Sequence, residues 1–440
     1  MAKRDIGGYR GAGLDILSRN DISVGDTVKI ATEDGEMSGV LMPRYESASD
    51  DHVVVKLNSG YNTGIQIGRI KSISKLQKGE TATPAKTLEI SENNNLPKIA
   101  LISTGGTIAS KIDYRTGGVR AALSASELYA SVPELATYAS IEPEVLLSEY
   151  SENLKPEHWT LIAENISKKV RTGKYRGIVV SHGTDTMHYT AAALSFALQN
   201  LPIPVVLVGA QRSSDRPSTD AALNLLGATI FATKAEYTGI FVAMHAGTSD
   251  DAVACHVGTR VRKNHTSRRD AFETIDSTPV ALVRNGTVEM QEKSEIELAK
   301  RRSDSNIDAK TKFDGRVALL KYHPGFDPKM IEHASSSDYR AIILEGTGLG
   351  HVSKECFPAL QRAINAGLII CMTSQCIWGR VRMTVYDTGR DLLDIGVIPL
   401  SDMMSETATV KIMWALANAK DIKKIMQENI ANEISSRIPL

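Results

Sequence analysis

Thr104-Gly105-Gly106-Thr107 ends the apolar run "KIALIS" with two glycines set between two hydroxyls. Glycines at a strand end let backbone approach a bound group, so the loop suits an anion cradle or a nucleophilic threonine. The string is neither GxGxxG nor GxxxxGK[ST], and no lysine directly follows the glycines. On spacing alone, a structural strand-to-loop turn carries as much weight as both chemical readings together. A threonine hydroxyl also needs a neighbouring base to accept its proton, and two later stretches offer helpers. "VVSHGTDTMHYTA" (residues 179–191) sets Thr184 and Asp185 after a second apolar strand, where Asp185 or Thr186 would serve equally well as a helix N-cap. "GTRVRKNHTSRRDAF" (258–272) is a basic stretch holding Lys263, and its ordinary explanation is a solvated face.

The elements around these residues have an α/β rhythm. "IALIS", "GIVVSH", "PVVLVGA" and "GIFVAMH" are continuous apolar strands, interleaved with helical stretches such as "PEHWTLIAENISKKVR" and "TMHYTAAALSFALQNL". Such strands predict a mainly parallel sheet covered on both faces. Ligands of open α/β sheets sit at the carboxyl ends of the strands, so Thr104 and Thr184-Asp185 can share one crevice. Ser124 and Glu127 are spaced as a capping box. A polar segment, 291–314, reads as an interdomain connection, after which "RVALLKYH", "RAIILEGTG" and "GLIICMTS" form a second strand series before a helical C-terminus.

Upstream, the first 20 residues read as a loose or locally tethered arm, and 21–76 as short β-runs separated by turn formers. A small closed barrel is the expected solution, because it removes sheet edges. The expected organisation is thus an arm and small β-barrel domain (1–76), a linker (77–96), a larger α/β domain carrying the catalytic residues (97–300) and a smaller C-terminal α/β domain (301–440).

The 440 residues exceed one ordinary core, and 42% hydrophobic with 23% charged residues suits a globular protein. A formal net charge of zero argues against a large nucleic-acid footprint. The histidines fall in no metal-ligand spacing, and Cys255, Cys356, Cys371 and Cys376 form no CxxC pair. Buried reduced thiols in a cytoplasmic protein are the expectation, with no signal-peptide core and no apolar run long enough to span a membrane.

"TGGTIAS", then "HGTDTM", then the R-V-x-K stretch at Arg260–Lys263, in that order, resemble the type I/II bacterial L-asparaginases, and the similarity extends through "VGAQRSSDRPSTDAALNLLGA" to the helical C-terminus. The β-segment in front, with "DYRTGGV" and "SENLKPEHW", resembles the D-subunit family of archaeal glutamyl-tRNA(Gln) amidotransferases. The resemblance implies a two-domain asparaginase-like α/β region behind the small β-barrel, and a glutaminase that supplies ammonia to a partner, the amidotransferase E-subunit. That partner converts glutamate carried on tRNA(Gln) into glutamine in an ATP-dependent reaction. The resemblance also implies a homodimer core within a heterotetramer, contact with Glu-tRNA(Gln) mainly through the partner, and ATP and Mg in the partner, with no cofactor or metal in this chain.

Carried over residue by residue, Thr104 is the nucleophile, Thr184, Asp185 and Lys263 form the proton relay, and Tyr114 is the flexible-loop tyrosine. Gly105 and Gly183 line the substrate, with backbone N–H groups beside Gly105 and Thr184 as oxyanion donors. Ser151 and Glu152 stand where the family has a Ser-Gln pair gripping the substrate's α-carboxylate and α-amino groups. Glutamate in place of glutamine favours an α-ammonium group but leaves glutamine against asparagine open. Either Tyr114 or the Lys263 relay is placed to deprotonate Thr104. The alternatives are a stand-alone L-asparaginase/glutaminase with an N-terminal extension, and a catalytically silent module touching tRNA through its β-domain.

Overall fold

The computed structural model describes residues 6–44, 50–57, 62–78, 96–106, 110–113, 118–121, 132, 134–212, 219–291 and 296–436. At the N-terminal end, β1 (Thr27–Thr32), β2 (Gly35–Leu41), β3 (His52–Leu57), β4 (Asn62–Gln66) and β5 (Ser72–Gln77) form an antiparallel sheet in the order β4-β3-β2-β1-β5. Alternate residues, including Val28, Ile30, Val53, Val55, Ile65 and Ile73, join one core cluster. A single turn of 3-10 helix, Ile67–Arg69, leads from β4 to β5, the two edge strands. Among the described residues no ladder joins those edges, so the strands share a core without the hydrogen-bonded closure expected of a barrel.

The N-terminal arm is tethered. Helix Gly11–Arg19 buries Leu17, and the Tyr9 hydroxyl donates to the Met42 carbonyl at 2.8 Å while accepting the Val54 N–H at 3.0 Å. One buried tyrosine with two backbone partners anchors a segment too short to show periodicity.

The next strands are β6 (Lys98–Gly105), the β7–β8 hairpin (Ser110–Asp113, Gly118–Ala121), β9 (Ser140–Glu149), β10 (Gly177–Ser181), the two-residue β11 (Leu198–Gln199), β12 (Pro204–Val208), β13 (Gly239–His245) and β14 (Val253–Val257). A short ribbon of β15 (Val261–Lys263) and β16 (Phe272–Thr274) precedes β17 (Ala281–Arg284) and β18 (Thr287–Met290). The main sheet has eight strands in the order β18-β17-β14-β13-β12-β10-β6-β9. Strands β9, β6, β10, β12 and β13 are parallel, and the antiparallel β14, β17 and β18 extend one side. That extension departs from the α/β rhythm because turns, not helices, join its last strands.

Period-two alternation divides the core between two faces. Ile99, Leu101, Val179, Val206 and Val208 face helix Ala221–Lys234. Ala100, Ile102, Ile178, Val180, Val205 and Leu207 face helices Pro156–Arg171 and Met187–Ala197. The second of these helices is apolar on every side because Ala192, Ala193 and Phe196 also pack on the C-terminal region, where Phe196 lies 6.1 Å from Trp414 of helix Ser405–Asn418.

The polar connection is strapped down rather than free. Thr238 N–H donates to Ala299 O, Lys310 N–H to Ala197 O, and β19 (Asp308–Ala309) pairs with β11. Beyond it, β20 (Val317–Lys321), β21 (Ala341–Gly346), β22 (Ile369–Ser374) and β23 (Ile398–Pro399) form a parallel sheet in sequence order. Among the described residues no helix is long and apolar enough to cross a membrane.

One position in the main sheet is topologically special. β6 is flanked by β9 and β10, which follow it in the chain on opposite sides, so the strand order reverses there. A crevice opens at the carboxyl ends of strands at such a reversal.

Candidate active site

The three strands at that reversal deliver Thr104 from β6, Ser151 just after β9 and Thr184-Asp185 just after β10. β6 and β10 pair at Ser103 and Ser181, so Thr104 is the first residue beyond that pair. It is buried, and its hydroxyl donates to the Ser181 carbonyl at 2.9 Å. The two glycines after it carry the turn. Gly105 has φ +115° and Gly106 φ +83°; an added Cβ would lie 2.1 Å from the Glu149 carbonyl oxygen and 2.7 Å from the Gly183 nitrogen, respectively. Side chains at these positions would therefore push the neighbouring strand-end loops away from Thr104.

Lys263 ends β15 and reaches the β10 loop from the side. Its Nζ donates to Thr184 Oγ1 at 2.9 Å and pairs with Asp185 Oδ1 at 2.7 Å. The lysine side chain is 8% exposed and the aspartate 69%, so the pair bridges the protein interior and water. With Lys263 as donor, the Thr184 hydroxyl keeps its own proton available for another acceptor. Arg262, one residue earlier, pairs instead with Glu406 at 2.7 Å, so just one of these two neighbouring cations serves the Thr184-Asp185 loop. The basic stretch is thus only partly a solvated face: His265–Arg268 are exposed, whereas Arg260 is buried against Asp402 at 2.9 Å and Arg269 pairs with Asp250 at 2.6 Å.

Ser151 is buried on the turn Ser151–Asn153, and its carbonyl accepts the Thr186 hydroxyl at 2.7 Å. That bond takes Thr186 away from capping the helix that follows. Gly183 passes so close that an added Cβ would sit 2.8 Å from Ser151 Cβ, while Glu152 is exposed on the same turn. Thr104, Gly105, Ser151, Glu152, Gly183, Thr184, Asp185 and Lys263 therefore converge on one strand-end region. Among the described residues no hydrogen bond links Thr104 directly to Thr184 or Lys263; strand pairing brings them near. Tyr114 and the Ser124/Glu127 capping box lie outside the described residues.

Sequence reasoning misses the groups beneath the loop. His182, fully buried, donates from Nδ1 to the Gly183 carbonyl at 2.7 Å and meets Thr190 Oγ1 through Nε2 at 2.8 Å. Trp159 Nε1 donates to the same hydroxyl at 3.1 Å. Burial pushes His182 down to about 4, so it is neutral. The histidine is visible within "HGTDTM", but its enclosure is not. A second buried chain joins Asp220, Asn224 and His245: Asp220 accepts the Gln211 and Arg212 N–H groups, and Asn224 donates to Gly209 O at 3.0 Å and to Asp220 at 3.0 Å.

Residues 98–296 match the family "Asparaginase, N-terminal", 316–427 the "Glutaminase/Asparaginase C-terminal domain" and 22–76 the "GatD N-terminal domain". The chain is 46% identical to the glutamyl-tRNA(Gln) amidotransferase D-subunit of Pyrococcus abyssi over 430 residues, which cover 96% of this chain and 97% of that protein. The D-subunit of Metallosphaera sedula is 46% identical over 437 residues, covering 98% and 97%. Among solved structures, the thermostable L-asparaginase from Thermococcus kodakarensis matches with a TM-score of 0.66 at 32% identity, covering 77% of this chain and 100% of the other. The chain belongs to the D-subunit family of glutamyl-tRNA(Gln) amidotransferases, with an asparaginase-like α/β region behind its N-terminal β-sheet.

Proposed function

We propose that this chain is the glutaminase subunit of a glutamine-dependent amidotransferase, releasing ammonia for a partner E-subunit that amidates Glu-tRNA(Gln). The observation that carries this reading is Lys263 bridging Thr184 and Asp185 at the strand reversal where Thr104 lies near the end of β6. The N-terminal sheet favours the amidotransferase over a free-standing amidohydrolase, since a hydrolase acting alone has no evident use for it.

In the proposed reaction Thr104 Oγ bonds to the side-chain amide carbon of glutamine. The resting hydroxyl proton, which faces Ser181 O, leaves Oγ through Tyr114 or the Lys263 relay and ends on the departing nitrogen. The C–N bond breaks, ammonia departs and a γ-glutamyl ester remains on Thr104. Water then attacks the ester, releasing glutamate and restoring the hydroxyl. Developing negative charge on the carbonyl oxygen is met by backbone N–H groups beside Gly105 and Thr184. Ser151 and Glu152 hold the α-carboxylate and α-ammonium groups, and Asp185 orients the lysine.

The proposed assembly is a homodimer of this chain with two partner chains in the cytoplasm, with ATP, Mg and most tRNA contacts in the partner. The proposed domain division is 1–76, a linker at 77–96, 97–300 and 301–440. The deciding experiment replaces Thr104 with alanine in the assembled enzyme. Glutamine-dependent amidation should vanish while amidation from free ammonia persists. Loss of both would assign Thr104 to assembly, and rapid asparagine hydrolysis by the isolated wild-type chain would favour a stand-alone asparaginase.

A further inference from the structure

We infer that His182 is a positioning residue that aims the Thr184 backbone amide into the crevice, held in one tautomer by Thr190 and Trp159. The inference rests on the acyl-transfer reading above.

The tautomer follows from donor counting. The Trp159 indole is a donor and cannot accept, so its bond at 3.1 Å makes Thr190 Oγ1 an acceptor on that side. The Gly183 carbonyl can only accept, so the neutral ring accepts at Nε2, and the hydroxyl proton of Thr190 is directed there at 2.8 Å. A neutral ring accepting at Nε2 carries its proton on Nδ1, and Nδ1 faces the Gly183 carbonyl at 2.7 Å. Every proton in the chain Trp159–Thr190–His182–Gly183 therefore points the same way. Thr190 and His182 are fully enclosed and Trp159 nearly so, and water has little access to compete for these bonds.

What this fixes is a peptide plane. The Gly183 carbonyl and the Thr184 N–H belong to one planar trans unit, so they point in opposite directions. The carbonyl is held toward the buried imidazole. The N–H is thereby turned to the opposite side, where Gly183 and Thr184 are half-exposed and Lys263 meets the Thr184 hydroxyl. No acceptor for the Thr184 N–H occurs among the described residues. Gly106, two residues after Thr104, approaches the His182–Gly183 peptide closely enough that a Cβ would lie 2.7 Å from Gly183 N. The imidazole thus holds the peptide unit directly after the one against which the nucleophile's own loop rests.

The test compares His182→Asn with His182→Gln in the full-length chain, free and with its partner, using glutamine as substrate. The asparagine amide nitrogen can occupy the place of Nδ1 and still donate to Gly183 O, whereas glutamine places its amide nearer the position of Nε2. The glutamine variant should lose roughly ten- to a hundredfold in kcat, with KM changed by less than about threefold, and the asparagine variant should recover most of that loss. Thr190→Val, which frees the tautomer, should fall between them. Equal kcat in the two His182 variants, or a loss borne by KM, would overturn the inference. A Thr104→Ala control run alongside separates the two levels. If that control still consumes glutamine, the acyl-transfer reading itself fails; if it is inactive, the His182 comparison stands or falls alone.

Discussion

The strand-end crevice and the C-terminal tail use charge in opposite ways. In the crevice, the ion pair Lys263–Asp185 lies at the water boundary, and the groups beneath it, His182, Thr190 and Trp159, are neutral. In the tail, Lys411 and Glu433 are both 0% exposed and 2.5 Å apart, and Arg260 and Asp402 are nearly as enclosed. Lys411 also donates to Glu428 O at 2.5 Å, while Glu433 accepts the Ile430 and Ala431 N–H groups. Arg260 bonds Asn432 O and Ser435 Oγ at 2.7 Å each, tying the last described residues to the loop just before β15. The contrast separates two jobs. In the proposed reaction the Lys263–Asp185 pair must change partners, and it lies where water lowers the cost of exchange, whereas a pair that holds a fold is sealed and fully hydrogen-bonded.

The largest expected effect is on activity. Lys263→Ala should lower glutamine hydrolysis on the order of 10⁴-fold while leaving the melting temperature nearly unchanged, since the partner left behind, Asp185, is already solvated. Steady-state kinetics beside a thermal melt would check this. A variant that melts early yet keeps its turnover would reverse the assignment of the two regions.

Next comes the tail. Glu433→Ala leaves a buried ammonium without its counter-ion and should cost about 3–5 kcal/mol in chemical denaturation. The double variant Lys411→Met/Glu433→Leu should lie within about 1 kcal/mol of wild type, because an apolar pair needs no hydrogen-bonded cage. Asp185→Ala, which leaves the largely buried Lys263 ammonium bonded to Thr184, should cost less than Glu433→Ala. If the double variant is as damaged as the single one, the ion pair has a role beyond filling and neutralising its site.

The sequence makes one side of this contrast legible and leaves the other dark. Strands β6 and β10 are buried on both faces, so each is a continuous apolar run with a polar cluster at its end, and the crevice follows from parallel-sheet geometry. Lys263 is different: without the family resemblance it is one cation among several, and its partner on the β10 loop lies 78 positions away. Arg260 and Asp402 are 142 positions apart, and nothing in the local pattern of either predicts burial. The way the N-terminal arm and the polar connection are held is hidden for a related reason. Each is fixed by a few bonds to distant backbone carbonyls, from the Tyr9 hydroxyl to Met42 and from the Lys310 N–H to Ala197, and such partners leave no trace in the local sequence pattern. Closure of the N-terminal sheet depends on edge pairing, to which alternation within single strands is blind.

The comparison that orders the two regions is their response to acid. Burial pushes His182, His188 and His256 down to about 4 from an ordinary 6.5. A depressed histidine stabilises the fold fully above its unfolded value and loses that contribution as pH falls from about 6.5 toward 4. Asp402 behaves differently. Burial raises its carboxyl, but Arg260 and the Ser435 hydrogen bonds outweigh that and hold it below its ordinary 3.8. Its contribution is present above 3.8 and disappears as pH drops through the lower folded value. Denaturation curves collected from pH 7 downward should therefore show a first loss of stability between about 6.5 and 4, accompanied by loss of turnover as His182 acquires a second proton. A second, smaller loss should follow below 3.8. Asp402→Asn should be weaker than wild type at pH 7 because Arg260 is left unpaired, and that gap should narrow only in the second stage. A gap that closes in the histidine window would mean that the tail and the crevice titrate as one unit, and the contrast between them would not hold.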